Sequence, residues 1–249
     1  GVFTFSPVST TASDPSPHPQ LPARLRYAVL ASGGGSNFQA LLDRAAIGDL
    51  PATAAFVVSN NSASGAMDKA RAAGIPAYHV SAKTEGSEEA VASRLLALLD
   101  EYRPDLLVLA GYMKKVPDAV LARMKNRILN IHPALLPEFG GAGMWGHHVH
   151  EAVVRAGKTF SGMTVHMVNG DYDEGQILAQ RRVDIPAGTD ASGVGSLVLR
   201  LEHDTYWRAV KGFADGQIVP TNSDDPSRAA QVSEEWKRTM RNLDGAVFP

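Results

Sequence analysis

Asn130 and His132 lie two residues apart in the run Arg127-Ile128-Leu129-Asn130-Ile131-His132-Pro133. Side chains two apart on an extended strand share a face, so an amide and an imidazole are delivered side by side. An amide can donate to a developing oxyanion and an imidazole can move protons, which equips the pair for attack on a carbonyl-type carbon. Pro133 cannot donate to a ladder, so the strand is expected to end there with His132 at its rim. Taken alone, an Asn-x-His pair at a strand end is more often a hydrogen-bonded structural pair. A third polar group, Asp173, falls in the polar turn Asn169-Gly170-Asp171-Tyr172-Asp173-Glu174-Gly175. It is free to face a neighbouring strand end, although turn aspartates commonly satisfy only local amides.

The elements that must hold these groups follow from the pattern on either side. Tyr27 to Ser32 is a short apolar run that meets Gly33-Gly34-Gly35-Ser36-Asn37 and then the helical pattern from Phe38. Strand, glycine turn and helix start make an anion cradle, with free amides at the helix N-terminus. Phe38 stands where the dinucleotide fingerprint needs its third glycine, and the second strand, Ala54 to Val58, ends without a ribose-binding carboxylate. A phosphate monoester therefore fits this turn better than a dinucleotide, and an unliganded tight turn is the competing reading. Ser64 to Gly74 and Glu88 to Tyr102 read as helices, Ile75 to Val80 and Asp105 to Ala110 as strands, and His79 as structural. Alternating strands and helices from Tyr27 to His132 imply an α/β fold: a Rossmann-like open, mostly parallel sheet with helices on both faces. Met163 to Val168 and Gln176 to Val183 then form a C-terminal antiparallel hairpin around the polar turn, followed by a helix from about Ser192 to Phe213 whose apolar face Glu202 and His203 interrupt.

Between Pro137 and that hairpin runs a glycine-rich loop, Gly140 to His150, leading into a helix from Glu151 to Ala156. His147, His148 and His150 invite a metal reading, but His148 lies off the i,i+3 line and no acid stands at a matching turn, so none is assigned. The loop reads instead as a cover over a site. Residues 1–25, rich in Ser, Thr and Pro without periodicity, read as a flexible tail, and the polar residues 219–249 as a variable tail, leaving 26–218 as the catalytic domain.

Composition narrows the chemistry further. With 249 residues and a net charge of −2, nothing calls for nucleic acid, and no run has the unbroken apolar length of a membrane helix. There is no cysteine, so thiol nucleophiles, thiolate metal sites and disulfides are excluded, which fits a cytoplasmic protein.

The ordered stretches form a set: Ser-Gly-Gly-Gly-Ser-Asn at 32–37, Leu-Ala-Gly-Tyr-Met at 109–113, Asn-Ile-His-Pro-Ala-Leu-Leu-Pro at 130–137, Thr-Val-His at 164–166 and Asp-Tyr-Asp-Glu-Gly at 171–175. Their order and spacing closely resemble the folate-dependent phosphoribosylglycinamide (glycinamide ribonucleotide) formyltransferases of purine synthesis. The resemblance implies the formyltransferase fold and formyl transfer from 10-formyltetrahydrofolate to the amine of glycinamide ribonucleotide, with no metal; a homodimer is allowed. It implies catalytic roles for Asn130, His132 and Asp173, and a substrate phosphate and ribose site at Gly35, Ser36, Asn37 and Glu202. It also implies a folate site at Met113, Lys114, Lys115, Val116, Asn130, Asn169, Gly170, Asp171 and Asp173. Glu88 and Leu199 stand where relatives often carry cations near the folate tail and the ribose, and the loop at 140–150 is longer than in many relatives. Two rival readings share these residues or the fold: a formyltetrahydrofolate deformylase, which uses water as acceptor but normally has a second histidine where Pro133 stands, and a non-catalytic nucleotide-binding module.

Overall fold

The computed structural model describes residues 25–170 and 173–247. Its first half alternates strand and helix: β1 (Leu25–Ala31), α1 (Ser36–Ala46), β2 (Ala52–Ser59), α2 (Gly65–Ala72), β3 (Ala77–His79), α3 (Ala82–Glu85), α4 (Glu88–Tyr102), β4 (Leu106–Leu109), α5 (Asp118–Arg123) and β5 (Ile128–His132). The second half carries α6 (His147–Arg155), the hairpin β6 (Phe160–Met167) and β7 (Ile177–Asp184), and α7 (Ala191–Ala214). It closes with β8 (Ile218–Pro220), β9 (Ala230–Val232), α8 (Glu234–Arg241) and β10 (Ala246–Val247).

Strand periodicity explains the two-faced core. Along β1, Tyr27, Val29 and Ala31 enter one apolar cluster, whereas Ala28 and Leu30 enter the other. Both faces are covered, so the central strands read as continuous apolar runs. Phe38 and Leu41 of α1 and Tyr206 and Val210 of α7 cover the first face; Val91, Leu95 and Leu98 of α4 and Val120 of α5 cover the second. Each such fully buried side chain contributes about 1.5–3 kcal/mol of transfer free energy.

The sheet order is β10-β7-β6-β5-β4-β1-β2-β3. Pairings from β3 through β5 are parallel, and those of β6, β7 and β10 are antiparallel. The chain steps outward from β1 to β3 and then returns to the other side of β1 as β4. That reversal opens a crevice at the carboxyl ends of β1 and β4, where open α/β sheets bind ligands. Across it, the Tyr206 hydroxyl donates to the Leu109 carbonyl at 2.6 Å and the Leu129 carbonyl at 3.1 Å, pinning α7 over the ends of β4 and β5.

Three boundaries differ from the sequence expectation. β1 begins at Leu25, two residues before the apolar run, because its first pairs with β2 need only backbone. Helix α6 begins at His147, not Glu151: Gly146 at φ 54° lets the chain turn in, and Glu151 faces His147 four residues earlier at 3.3 Å. Residues 219–247 are a folded segment, not a polar tail. Part of its apolar surface docks: Ala229, Ala230, Trp236 and Met240 are buried, and β10 pairs with β7. The segment also braces the chain just after the Asp173 turn. Gln176, which follows the Asp173 turn, donates to the Ala230 carbonyl at 2.9 Å and accepts from the Ala230 amide at 2.8 Å. Residues 1–24 lie outside the described residues, as does the tail expected there.

Candidate active site

β5 presents Asn130 and His132 on one face, and the antiparallel register of β6 sets His166 directly opposite Asn130 and Thr164 opposite His132. After Pro133 the chain is held by buried polar bonds: the Thr164 hydroxyl donates to the Ala134 carbonyl (2.7 Å) and accepts from the Leu136 amide (3.1 Å). These bonds leave the segment that follows β5 little freedom, and His132 stands at its root. Asp173, at φ 56° in the turn between β6 and β7, comes within 3.5 Å of His132 Nδ1 and 3.4 Å of His166 Nε2.

Proton positions follow from the partners. His132 Nε2 lies 2.8 Å from the Phe139 carbonyl, which only accepts, so Nε2 carries a hydrogen and Nδ1 turns to the Asp173 carboxylate. His166 Nδ1 donates to the Met167 carbonyl at 3.0 Å, leaving Nε2 to accept from the Asn130 amide nitrogen at 3.2 Å. His166 thereby decides which end of the Asn130 amide is the donor end. Burial pulls the His132 pKa below 6.5, against the opposing pull of Asp173 and the Phe139 carbonyl. For Asp173, burial pushes upward, but the neighbouring His166 and His132 rings and the hydrogen bond from the Gly141 amide outweigh it and hold the carboxyl below its usual range. The resting pair is therefore a neutral imidazole beside a carboxylate: a base whose protonated form has its counter-charge already in place.

A cavity of about 440 Å³ extends from this centre in two directions. Toward α1 it is lined by Asn37, whose amide nitrogen donates to Glu202 at 3.1 Å while its oxygen is buried without a partner. Gly35 and Ser36 are at the helix start but not in the cavity lining. Gly35 sits at φ 75°, and a Cβ there would lie 2.6 Å from Ala66 Cα, so this glycine is required by packing on α2. Gly35→Val would disturb the fold before it tested an anion contact. Glu202 is buried, and burial, partly offset by Asn37, raises its pKa from 4.5 to about 7.

That shift has a measurable consequence. A carboxyl raised in the folded state stabilises most below the unfolded value, and the contribution disappears as pH rises through the folded one. From pH 4.5 to above 7 this group should therefore withdraw roughly 3 kcal/mol from the ligand-free protein. Urea unfolding at pH 5 and pH 8 should show a flatter pH dependence for Glu202→Gln; equal slopes in the two proteins would sink the assignment.

In the other direction the cavity is lined by Met113, Lys114, Lys115 and Val116 beyond β4, and by Val168 and Gly170 at the start of the hairpin turn. Asn169 is not in the lining, and Asp171 lies outside the described residues. Glu88 is exposed at the start of α4 and not in the lining, although its charge reaches Tyr112 and helps raise that pKa, after burial, to about 12. The cavity thus joins Asn130, His132, Asp173, Asn37 and Glu202 with four of the expected folate positions beyond β4 and one, Gly170, beyond β6.

Sequence reasoning misses His166 as a cavity residue and takes Trp145 and His150 only as part of the loop covering a site. Alternation along β6 puts Thr164 and His166 on one face, but only the pairing with β5 shows which face. Contrary to the sequence expectation, an acid does stand at a matching turn, since His147 and His148 both face Glu151 four and three residues on; among the described residues no group of three or more His, Asp or Glu is placed to hold a metal ion. No described helix is long and apolar enough to cross a membrane.

Comparison with known proteins locates the chain. The family described as Formyl transferase matches residues 25–210. A phosphoribosylglycinamide formyltransferase, chloroplastic, of Arabidopsis thaliana is 39% identical over 198 residues, which is 79% of this chain and 68% of that protein. The crystal structure of glycinamide ribonucleotide transformylase 1 from Symbiobacterium toebii superposes with a TM-score of 0.77 at 34% identity, covering 86% of this chain and 96% of that one. A formyltetrahydrofolate deformylase from Pseudomonas syringae superposes with a TM-score of 0.73 over 85% of this chain and 66% of its own, but at 23% identity the likeness speaks to the fold alone.

Proposed function

The chain belongs to the formyl transferase family, and on that premise we propose that it transfers the formyl group of 10-formyltetrahydrofolate to the primary amine of glycinamide ribonucleotide, a step of de novo purine synthesis. The observation that carries this reading is one cavity with two ends: a base, a carboxylate and an amide donor at its centre, buried Glu202 bonded to half-buried Asn37 at one end, and an apolar wall bearing lysines at the other.

The donor supplies an activated formyl carbon, and the substrate amine is itself the nucleophile, so a chain without cysteine lacks nothing. Attack develops negative charge on the formyl oxygen and positive charge on the amine. Asn130, with one amide hydrogen committed to His166, has the second available for the oxygen. His132 accepts the amine proton at Nδ1, Asp173 stabilises the imidazolium that results, and as the tetrahedral adduct collapses the bond from the formyl carbon to the folate nitrogen breaks and that nitrogen takes the proton back from the imidazolium. Glu202 and Asn37 hold the ribose end, and the amides at the start of α1, which no side chain caps, face the phosphate. Met113 and Val116 pack on the folate, which fits an apolar wall next to the polar centre.

A transferase needs both pockets, whereas a deformylase needs only water. Positioning the amine is worth several orders of magnitude, so transfer should far outrun hydrolysis when it is bound. Purified protein should consume 10-formyltetrahydrofolate rapidly only with glycinamide ribonucleotide present, yielding stoichiometric formylated product. Brisk formate release without that substrate would favour the deformylase, and no turnover in either assay a binding module. A cytoplasmic location and a homodimer belong to the same proposal; sedimentation of the purified chain checks the second.

A further inference from the structure

Around the folate end of the cavity, three large apolar side chains form the rim: Met113 beyond β4, and Met144 and Trp145 in the loop before α6. Met113 is 46% exposed and Trp145 37% exposed, which leaves apolar surface uncovered beside a polar reaction centre. The loop is not loosely placed. Its start is tied to the centre by the Phe139 carbonyl on His132 and by the Gly141 amide donating to Asp173 at 3.1 Å. The Met144 amide then turns back to the Gly141 carbonyl at 3.2 Å. Trp145 itself stands edge-on to His148, ring centres 6.5 Å apart at 81°, and a Cβ on neighbouring Gly146 would lie 3.4 Å from Met113 Cε. Beside this rim Lys114 and Lys115 line the same cavity and are exposed.

The kinds of group in this lining suit the kinds of group in the donor. In a 10-formyl folate the nitrogen that loses the formyl group bears an aromatic ring directly, and the ring leads through an amide to a carboxylate-bearing tail. Together with Asn130, His132 and Asp173, the lining of the same cavity offers an aromatic and thioether rim and two ammonium groups. Resting on the functional reading above, we propose that Trp145 is a specificity residue of this chain that stacks on the aminobenzoyl ring of the folate donor, opposite Met113. Flat rings gain from offset stacking and from thioether contact beyond simple burial.

Trp145→Ala should raise the donor KM roughly 3- to 10-fold, the range of an aromatic contact, with kcat and the glycinamide ribonucleotide KM within twofold of the parent. Trp145→Phe should recover most of the loss, which a mere defect in loop folding would not allow if both variants lost it equally. Intrinsic fluorescence gives a second readout, because the other two tryptophans, Trp207 and Trp236, are each only 7% exposed. Folic acid should quench the parent strongly and Trp145→Phe weakly, whereas 6-hydroxymethylpterin, which lacks the ring, should affect the two alike. An unchanged donor KM in Trp145→Ala, a rise confined to the amine substrate, or equal folic acid quenching in parent and Trp145→Phe would overturn the proposal. If the parent transfers no formyl group at all, it is the functional reading that fails; a working transferase indifferent to Trp145 sinks only this inference.

Discussion

His132→Ala is expected to lower kcat by about 10²–10⁴ while leaving the KM of both substrates within a few-fold, on the usual magnitude for a positioned proton-transfer group. The geometry makes the split specific. Nε2 is committed to the Phe139 carbonyl, so the only lone pair of the ring is at Nδ1, beside Asp173. The ring therefore gives up its proton-accepting capacity entirely when removed, but little ground-state contact. Burial holds the imidazole neutral below its ordinary value of 6.5, so the acid limb of kcat/KM should lie below pH 6.5. In Asp173→Asn the counter-charge is gone and protonation of the ring becomes harder still, so that limb should move further to acid. A His132→Ala enzyme with near-normal kcat, or an acid limb above pH 6.5, would refute the assignment.

Asn130→Ala should cost roughly 10²–10³ in kcat, the range for removing one donor from an oxyanion site. What distinguishes this residue from a general packing contact is the bond to His166. With Nδ1 donating to the Met167 carbonyl, His166 can only accept from Asn130, and that fixes the amide with its nitrogen inward. Removing His166 should then reproduce part of the Asn130 loss, because an amide free to flip spends part of its time presenting oxygen to oxygen. The double variant should cost less than the product of the two single losses, since both act through one hydrogen-bond donor. Independent, multiplicative losses measured by single-turnover kinetics would mean that His166 acts on something other than Asn130.

Much of this site is local in origin, and that is why the sequence showed it. Period-2 alternation in residues 128–132 and the proline that follows suffice to put Asn130 and His132 on one face at a strand end. The apolar runs that became β1, β2 and β4 and the capped helices that became α2 and α4 are likewise set by neighbours within a turn or two, down to Ser64 and Ser87 as N-caps. Composition removed thiol chemistry, and the spacing of the five ordered stretches pointed to the family. Long-range pairing decided the rest. Which face of β6 meets β5 is a matter of register, so His166 enters the site only once Asn130 is seen opposite it. Gly35 belongs to the packing of α1 on α2, because the atom its missing Cβ avoids lies 31 residues downstream, at Ala66. Residues 219–247 look like a polar tail one at a time, yet buried apolar side chains and the Gln176 clamp on Ala230 fold them against the chain just after the turn that carries Asp173. Residue types and local periods determined what chemistry this chain carries and on which elements; the register of β5 with β6 and the docking of α7 decided which of those side chains meet, because those contacts join segments that nothing local relates.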